Sequence, residues 1–314
     1  MIPFQIPARL LEQRELGPEW VRWLDGLSRD VSETVEQWGL SYDEEALARD
    51  GVGQGFCSVV VPVLDPDRGP AALKVEIPDE ESEHEALLLD HWAGRGAVRL
   101  WRADLHRRAL LMERLHRCDL RSVGDDEACE IVAALYPLVH IPALPQIRPI
   151  TDFVARWLDA LATLPVDGPL PRRLVEQTLT VGRDLVDDVG PGRTVVHGDL
   201  HHENVLAADR EPWLVIDPKG MNGEPEYEPA PMLWNRWEEI VATGDVRSAV
   251  RRRFHLLVDG AGLDEERARD WVVVRMILNA HWSIEDAARV GRGLNTEDRE
   301  WLTQCVAIAK AVQD

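Results

Sequence analysis

Basic residues are in short supply, since 35 Lys and Arg stand against 56 Asp and Glu for a formal net charge of -21. Such a surface repels nucleic acid and anionic membrane, so neither is an expected partner. Long apolar runs are also missing. None approaches the roughly 20 residues of a bilayer-spanning helix, and the N-terminus has no basic-then-apolar signal pattern, so the expected compartment is the cytoplasm. Cysteine is sparse: Cys57, Cys118, Cys129 and Cys305 form no C-x-x-C pair, which argues against a disulfide framework or a zinc ribbon. There is no internal repeat and no low-complexity tract. What remains is a soluble globular composition, 45% hydrophobic and 29% charged, over 314 residues, a length that suits two lobes better than one core.

The two halves differ in periodicity. Residues 18–38 place Trp20, Trp23, Leu24, Leu27, Val31, Val35 and Trp38 at helical spacing, a stripe expected to pack on a sheet. A turn bearing Gly51, Gly53 and Gly55 then opens an antiparallel meander through 56–63 and 71–77, and 97–101 and 109–113 read as two further strands. Glycines there let a backbone approach a phosphate, although they serve ordinary hairpins equally well. Lys74 sits among apolar residues in the third strand, a costly place for an ammonium unless anions meet it. In the acidic helix expected over 80–92, Glu85 is the chosen partner for Lys74, with Glu81 one turn earlier as the fallback. From about residue 116 the pattern turns helical: 127–140, 151–164, 172–189, 228–241, 245–261, 264–290 and 297–312. The expected fold is therefore α+β and bilobal. A small lobe, 1–115, has a five-stranded antiparallel sheet and one or two helices, and a larger, mostly helical lobe, 116–314, shares a cleft with it.

The chemistry concentrates in 195–219. His197, Gly198 and Asp199 are followed by Asn204, and Asp217 ends the apolar run 213–216. Phosphoryl transfer from ATP asks for a carboxylate to take the acceptor's proton and for ligands to the bridging magnesium ions. Asp199 is the candidate base, and Asn204 and Asp217 the candidate metal ligands. Short strands at 194–196, 205–206 and 214–216 would hold the loop rigid. A rival reading makes His197, Asp199, His201 and His202 a hydrolase metal cluster, but it leaves Asn204 and Asp217 without roles.

On these residues the sequence resembles the protein-kinase-like fold and, within it, the aminoglycoside phosphotransferases, particularly the streptomycin phosphotransferase and hydroxyurea kinase branch. The matching motifs are His197-Gly198-Asp199-Leu200-His201, Asn204-Val205-Leu206, Ile216-Asp217-Pro218-Lys219-Gly220, and the stretches 94–100 and 110–115. The resemblance spans roughly residues 20–310. It implies ATP and Mg2+ as cofactors, Lys74 on the phosphates, and a hinge at Glu113 to Leu115 that binds adenine through its backbone, with Met112 behind it. Where the family pattern is similar to Gly-Asp-Pro-x-Tyr-Asp, this chain has Gly223-Glu224-Pro225-Glu226-Tyr227-Glu228, and His202 replaces a small residue or proline. Lys219 either touches the transferred phosphoryl group or is a solvated loop lysine.

The expected partner is a small-molecule acceptor. Glu224, Glu226, Glu228, Glu238 and Glu239 could pair with amino or guanidino groups of a cationic aminoglycoside such as streptomycin, or could form a solvated helix face. Hydroxyurea, a neutral acceptor, is second. The short segment after Asp217 argues against a protein substrate. A catalytically idle nucleotide-binding module would be expected to have lost one of Lys74, Asp199, Asn204 or Asp217. The oligomeric state is left open.

Overall fold

The computed structural model describes residues 3–80, 82–190 and 192–313. Two compact units form. One runs to Arg117 and takes in Ala207–Ile216; the other comprises Cys118–Leu206 and the chain from Asp217 onward.

The first unit contains α1 (Ala8–Glu12), α2 (Pro18–Gln37), β1 (Ser41–Tyr42), α3 (Glu44–Asp50), β2 (Gly53–Gln54), β3 (Ser58–Asp65), β4 (Gly69–Glu76), α4 (Glu85–Trp92), β5 (Leu100–Asp104) and β6 (Ala109–Glu113). The sheet runs in the order β1-β3-β4-β6-β5, with β2 also paired to β3. Alternation along the strands decides what each face carries. Val59, Val61 and Val63, Ala71, Leu73 and Val75, and Ala109 and Leu111 share one buried cluster with Leu24, Leu27, Val31 and Val35 of α2. Full burial of each such Leu or Val contributes about 1.5–3 kcal/mol. Lys74, between Leu73 and Val75, is thereby turned to the face opposite α2, in register with Val60 on one side and Leu110 on the other.

Among the described residues the sheet has six strands rather than five, and the unit four α-helices rather than one or two. Ser41–Tyr42, Ala8–Glu12 and Glu44–Asp50 are too short for a hydrophobic period to be read. The strand expected at 97–101 lies at Leu100–Asp104, because Ala97 and Val98 bridge to Val215 instead. The acidic helix begins at Glu85 rather than residue 80.

The second unit contains α5 (Asp125–Val139), β7 (Ile141–Pro142), α6 (Ile150–Ala162), α7 (Arg172–Val189), β8 (Thr194–Val196), β9 (Val205–Ala207), whose last residue groups with the first unit as does β10 (Trp213–Val215), then β11 (Met221–Gly223), α8 (Ala230–Trp234), α9 (Trp237–Ala242), α10 (Val246–Ala261), α11 (Glu265–Arg289) and α12 (Thr296–Ala311). The helix expected over 228–241 is two short ones, broken where Arg236 takes a left-handed conformation at φ 55°. Helix α11 is the spine: Trp271 to Leu278 are all buried, and it packs against α6, α7 and α12. Asp264 caps its start by accepting the Arg267 N–H at 2.8 Å. Strand β8 is the centre of a three-stranded antiparallel sheet, β11-β8-β7, and it delivers the chain to His197.

Candidate active site

Lys74 is 4% exposed, and its Nζ lies 2.5 Å from Glu85 Oε2 and 3.4 Å from Glu76 Oε2. Glu76 in turn meets Arg108 Nη2 at 2.9 Å through its other oxygen. A buried ammonium is tolerable only with such compensation, and the pair fixes Lys74 against the start of α4. Glu81 lies outside the described residues. The three glycines divide between two tasks: Gly51 closes α3 at φ 66°, whereas Gly53 and Gly55 belong to the β2–β3 hairpin, Gly53 opposite Val60 and Gly55 N–H donating to Ser58 O at 3.0 Å.

At the end of β6, Met112 is buried, while Glu113 and Leu115 are half-buried. The Glu113 carboxylate is bound bidentately by Arg210, at 2.7 and 3.1 Å, and accepts the Arg99 N–H at 2.8 Å. Arg210 also donates to Ala97 O at 2.6 Å, so the 207–216 segment braces the end of β6 within the first unit. The Glu113 side chain is thus committed to structure, as is its N–H, which donates to Arg99 O at 3.0 Å.

In the second unit the loop after β8 is held by its backbone. Glu228, fully buried, accepts the His197 N–H at 2.5 Å through Oε1 and the Gly198 N–H at 3.2 Å through Oε2. Asp199 N–H donates to His197 Nδ1 at 3.2 Å, and Asp199 O accepts from Asn204 Nδ2 at 2.8 Å. His197 O accepts the Lys219 N–H at 2.9 Å, which ties Asp199 and Asp217 to one frame. Gly198 has φ 84°, and a Cβ there would meet Met221 Cε at 3.2 Å, so only glycine fits without strain. Asp217 is itself left-handed at φ 56°, a conformation Asp accepts more readily than most residues.

Around the Asp199 carboxylate, His201 Nε2 lies 3.8 Å from Oδ2. His201 Nδ1 accepts the Glu203 N–H at 3.2 Å, and its Nε2 also stands 3.3 Å from Asn204 Nδ2, so the ring is fixed beside Asp199. Asn204 turns its Nδ2 to Asp199, so its amide oxygen is the end available to a cation. Asp217 is reached by Lys219 Nζ at 3.1 Å. An amide oxygen and a carboxylate are hard donors of the kind magnesium takes when nucleotide phosphates complete its shell, so these residues fit the ion. Among the described residues no three or more His, Cys, Asp and Glu form a metal-binding group. The hydrolase reading loses two of its three histidines, since His202 turns to Asp125, with Nε2 3.8 Å from Oδ1, and the buried His197 serves the backbone. Burial first, countered in part by Asp125, lowers the His202 pKa below its ordinary value.

The five glutamates do not present a common face. Glu224 is bound by Arg267 Nε at 2.6 Å and by Trp271 Nε1, Glu226 accepts the Asp264 N–H at 3.3 Å, and Glu239 is paired with Arg236. Glu228 is inside the fold. Burial alone would push its carboxyl up, but the hydrogen bond and charge of His140, then His197, bring its pKa below the ordinary range. In sequence it is the last residue of the Gly223–Glu228 motif, with nothing to show that its partners are backbone N–H groups.

Arg275 was also missed. It donates to Gly198 O at 2.7 Å and Tyr227 O at 2.9 Å. The signal was an arginine inside the apolar run 271–278, the same anomaly that marked Lys74. A second unused signal is scarcity, for the chain has only three lysines, Lys74, Lys219 and Lys310, and two fall among these residues.

Comparison with known proteins follows the same lines. Solved structures that resemble the chain include aminoglycoside phosphotransferase APH(4)-Ia, at TM-score 0.57 and 16% identity over 90% of this chain and 99% of that one. Another is choline kinase LicA of Streptococcus pneumoniae, at TM-score 0.55 and 12% identity over 85% and 97%. These likenesses establish a protein-kinase-like fold. The streptomycin 6-kinase of Streptomyces griseus is 39% identical over 289 residues, 90% of this chain and 91% of its own. The hydroxyurea phosphotransferase of Kitasatospora aureofaciens is 36% identical over 293 residues, 90% of this chain and 81% of its own. Residues 46–287 match the family described as aminoglycoside/hydroxyurea antibiotic resistance kinase, and the chain belongs to that family.

Proposed function

We propose that the chain transfers the γ-phosphoryl group of ATP to a hydroxyl of streptomycin or a closely similar aminoglycoside, in the cytoplasm. One observation carries the mechanism: every main-chain polar group from His197 N to Asp199 O that bears on Asp199 is hydrogen-bonded, while its carboxylate is 30% exposed. A carboxylate held in that way is suited to orient an acceptor hydroxyl and take its proton. The acceptor oxygen bonds to the γ-phosphorus, the bond from that phosphorus to the bridging oxygen of ADP breaks, and the hydroxyl proton passes to Asp199. In the first unit, Lys74 takes the nucleotide phosphates with Glu85 fixing it. Gly51, Gly53 and Gly55 give backbone access, and Met112, Glu113 and Leu115 receive adenine. Asn204 and Asp217 would hold Mg2+, which when bound neutralises charge on the phosphates.

Hydroxyurea is the second reading. It gains from the engagement of Glu224, Glu228 and Glu239 within the fold, which removes them as partners for a cationic sugar. The test is steady-state turnover with ATP and magnesium against streptomycin, other aminoglycosides and hydroxyurea, at two ionic strengths. A cationic acceptor should show KM rising with salt, and a neutral one should not. No transfer to any of these compounds would overturn the assignment of the acceptor.

A further inference from the structure

A buried guanidinium that reaches only carbonyls calls for an explanation. Arg275, on α11, is 8% exposed and donates through Nη2 to Gly198 O at 2.7 Å and through Nη1 to Tyr227 O at 2.9 Å. Its Cζ stands 3.9 Å from the centre of the Tyr227 ring and 5.2 Å from that of Trp234. Among the described residues no carboxylate pairs with it. Two neutral acceptors and two ring faces offset less of the desolvation of a guanidinium than a bidentate carboxylate does. For packing alone, Met or Leu would serve this position in an apolar helix at lower cost.

What the charge does gain is control of one peptide unit. Gly198 C=O and Asp199 N–H belong to the same amide plane. Arg275 holds the oxygen and His197 Nδ1 the N–H, while Glu228 holds the N–H of Gly198 on the other side. Gly198, at φ 84°, is the least restrained residue type in the place where a rotation would swing Asp199 most. A charged donor on its carbonyl removes that freedom, and it does so more firmly than a neutral hydrogen bond would.

We propose that Arg275 is a positioning residue for phosphoryl transfer, acting through the Gly198–Asp199 peptide to fix the carboxylate of Asp199; this rests on Asp199 being the base. Displacement of a reacting group by about an ångström costs on the order of 10²-fold in rate. Arg275→Met should therefore lower kcat with streptomycin and ATP by roughly 10- to 100-fold while both KM values stay within about twofold. Arg275→Lys, which keeps a charged donor for one carbonyl, should recover part of that loss.

The deciding experiment is a double-mutant cycle with Asp199→Asn, joined to amide hydrogen exchange over residues 195–200. If Arg275 acts through Asp199, its substitution has little further effect on kcat once Asp199→Asn is already in place, and exchange in 195–200 quickens in Arg275→Met. Exchange requires no acceptor and reads the positioning even if streptomycin is not phosphorylated. An Arg275→Met protein with parental kcat and parental exchange overturns the proposal. So does a loss of kcat equally large with and without Asp199→Asn. Should Arg275→Met fail to fold, Arg275→Lys carries the same cycle. Failure of the base assignment is seen separately, as Asp199→Asn turning over at the parental rate.

Discussion

Glu228 closes on the main chain of His197 with a carboxylate oxygen 2.5 Å from the amide nitrogen, in a fully buried setting. Its other oxygen serves Gly198, and His140 Nε2 stands 3.3 Å from the first. Because the folded pKa is depressed, the stability contributed by this carboxylate is fully present above the ordinary value of about 4.3 and is lost as pH falls through the lower folded value. Glu228→Gln should cost on the order of 2 kcal/mol at neutral pH, by the worth of hydrogen bonds to a charged group. Urea denaturation checks this, with the gap between the two proteins closing in acid. A gap that is unchanged at low pH would show that the charge is not what stabilises.

For Asp199→Asn the expected loss is about 10²–10⁴ in kcat, the range for removal of a general base. ATP affinity should change little. Single-turnover phosphorylation with a parallel nucleotide titration separates the two quantities.

Substitution on the nucleotide side should behave differently. Lys74→Met ought to raise KM for ATP and lower kcat by about 10²-fold if, as proposed, its ammonium meets the nucleotide phosphates. Asp217→Ala should shift the magnesium dependence of turnover to higher concentration. Unaltered magnesium dependence would remove Asp217 from the metal.

A fourth expectation concerns acid stability. Asp125, at the start of α5, has a pKa lowered to about 2: burial raises it, and the nearby His202 together with the Arg253 guanidinium, whose Nε donates to it at 2.7 Å, more than reverse that. Its contribution is fully present above the ordinary value of about 3.9 and is lost as pH falls from there toward the folded value. Asp125→Asn should therefore be less stable than the parent at pH 7, with thermal midpoints converging below about pH 4.

Much of the fold could be read from periodicity where segments were long. The α2 stripe of Leu24, Leu27, Val31 and Val35 packs on the sheet, and Lys74, turned by strand alternation to the other face, finds Glu85. The strand ends and two-residue strands could not be read, because a period needs several repeats. The support of the loop was hidden for another reason. Glu228 and Arg275 act on backbone, and no side-chain pattern shows which N–H or carbonyl such a residue serves. Glu228 falls in a run of glutamates and Arg275 in an apolar run, and burial is what sets both apart from the surface charges.

The anchors of Gly198 come late in the chain. Glu228 lies 30 residues beyond it and Arg275 lies 77 beyond. During synthesis the segment around Asp199 therefore leaves the ribosome well before the groups that secure it, and closing a loop of that span costs entropy that a local turn does not. A nascent chain halted before α11 would carry its complete transfer motif and still lack the arginine that holds it. The frame around Asp199 is thus complete only once α11 has been made, 77 residues after the glycine it holds.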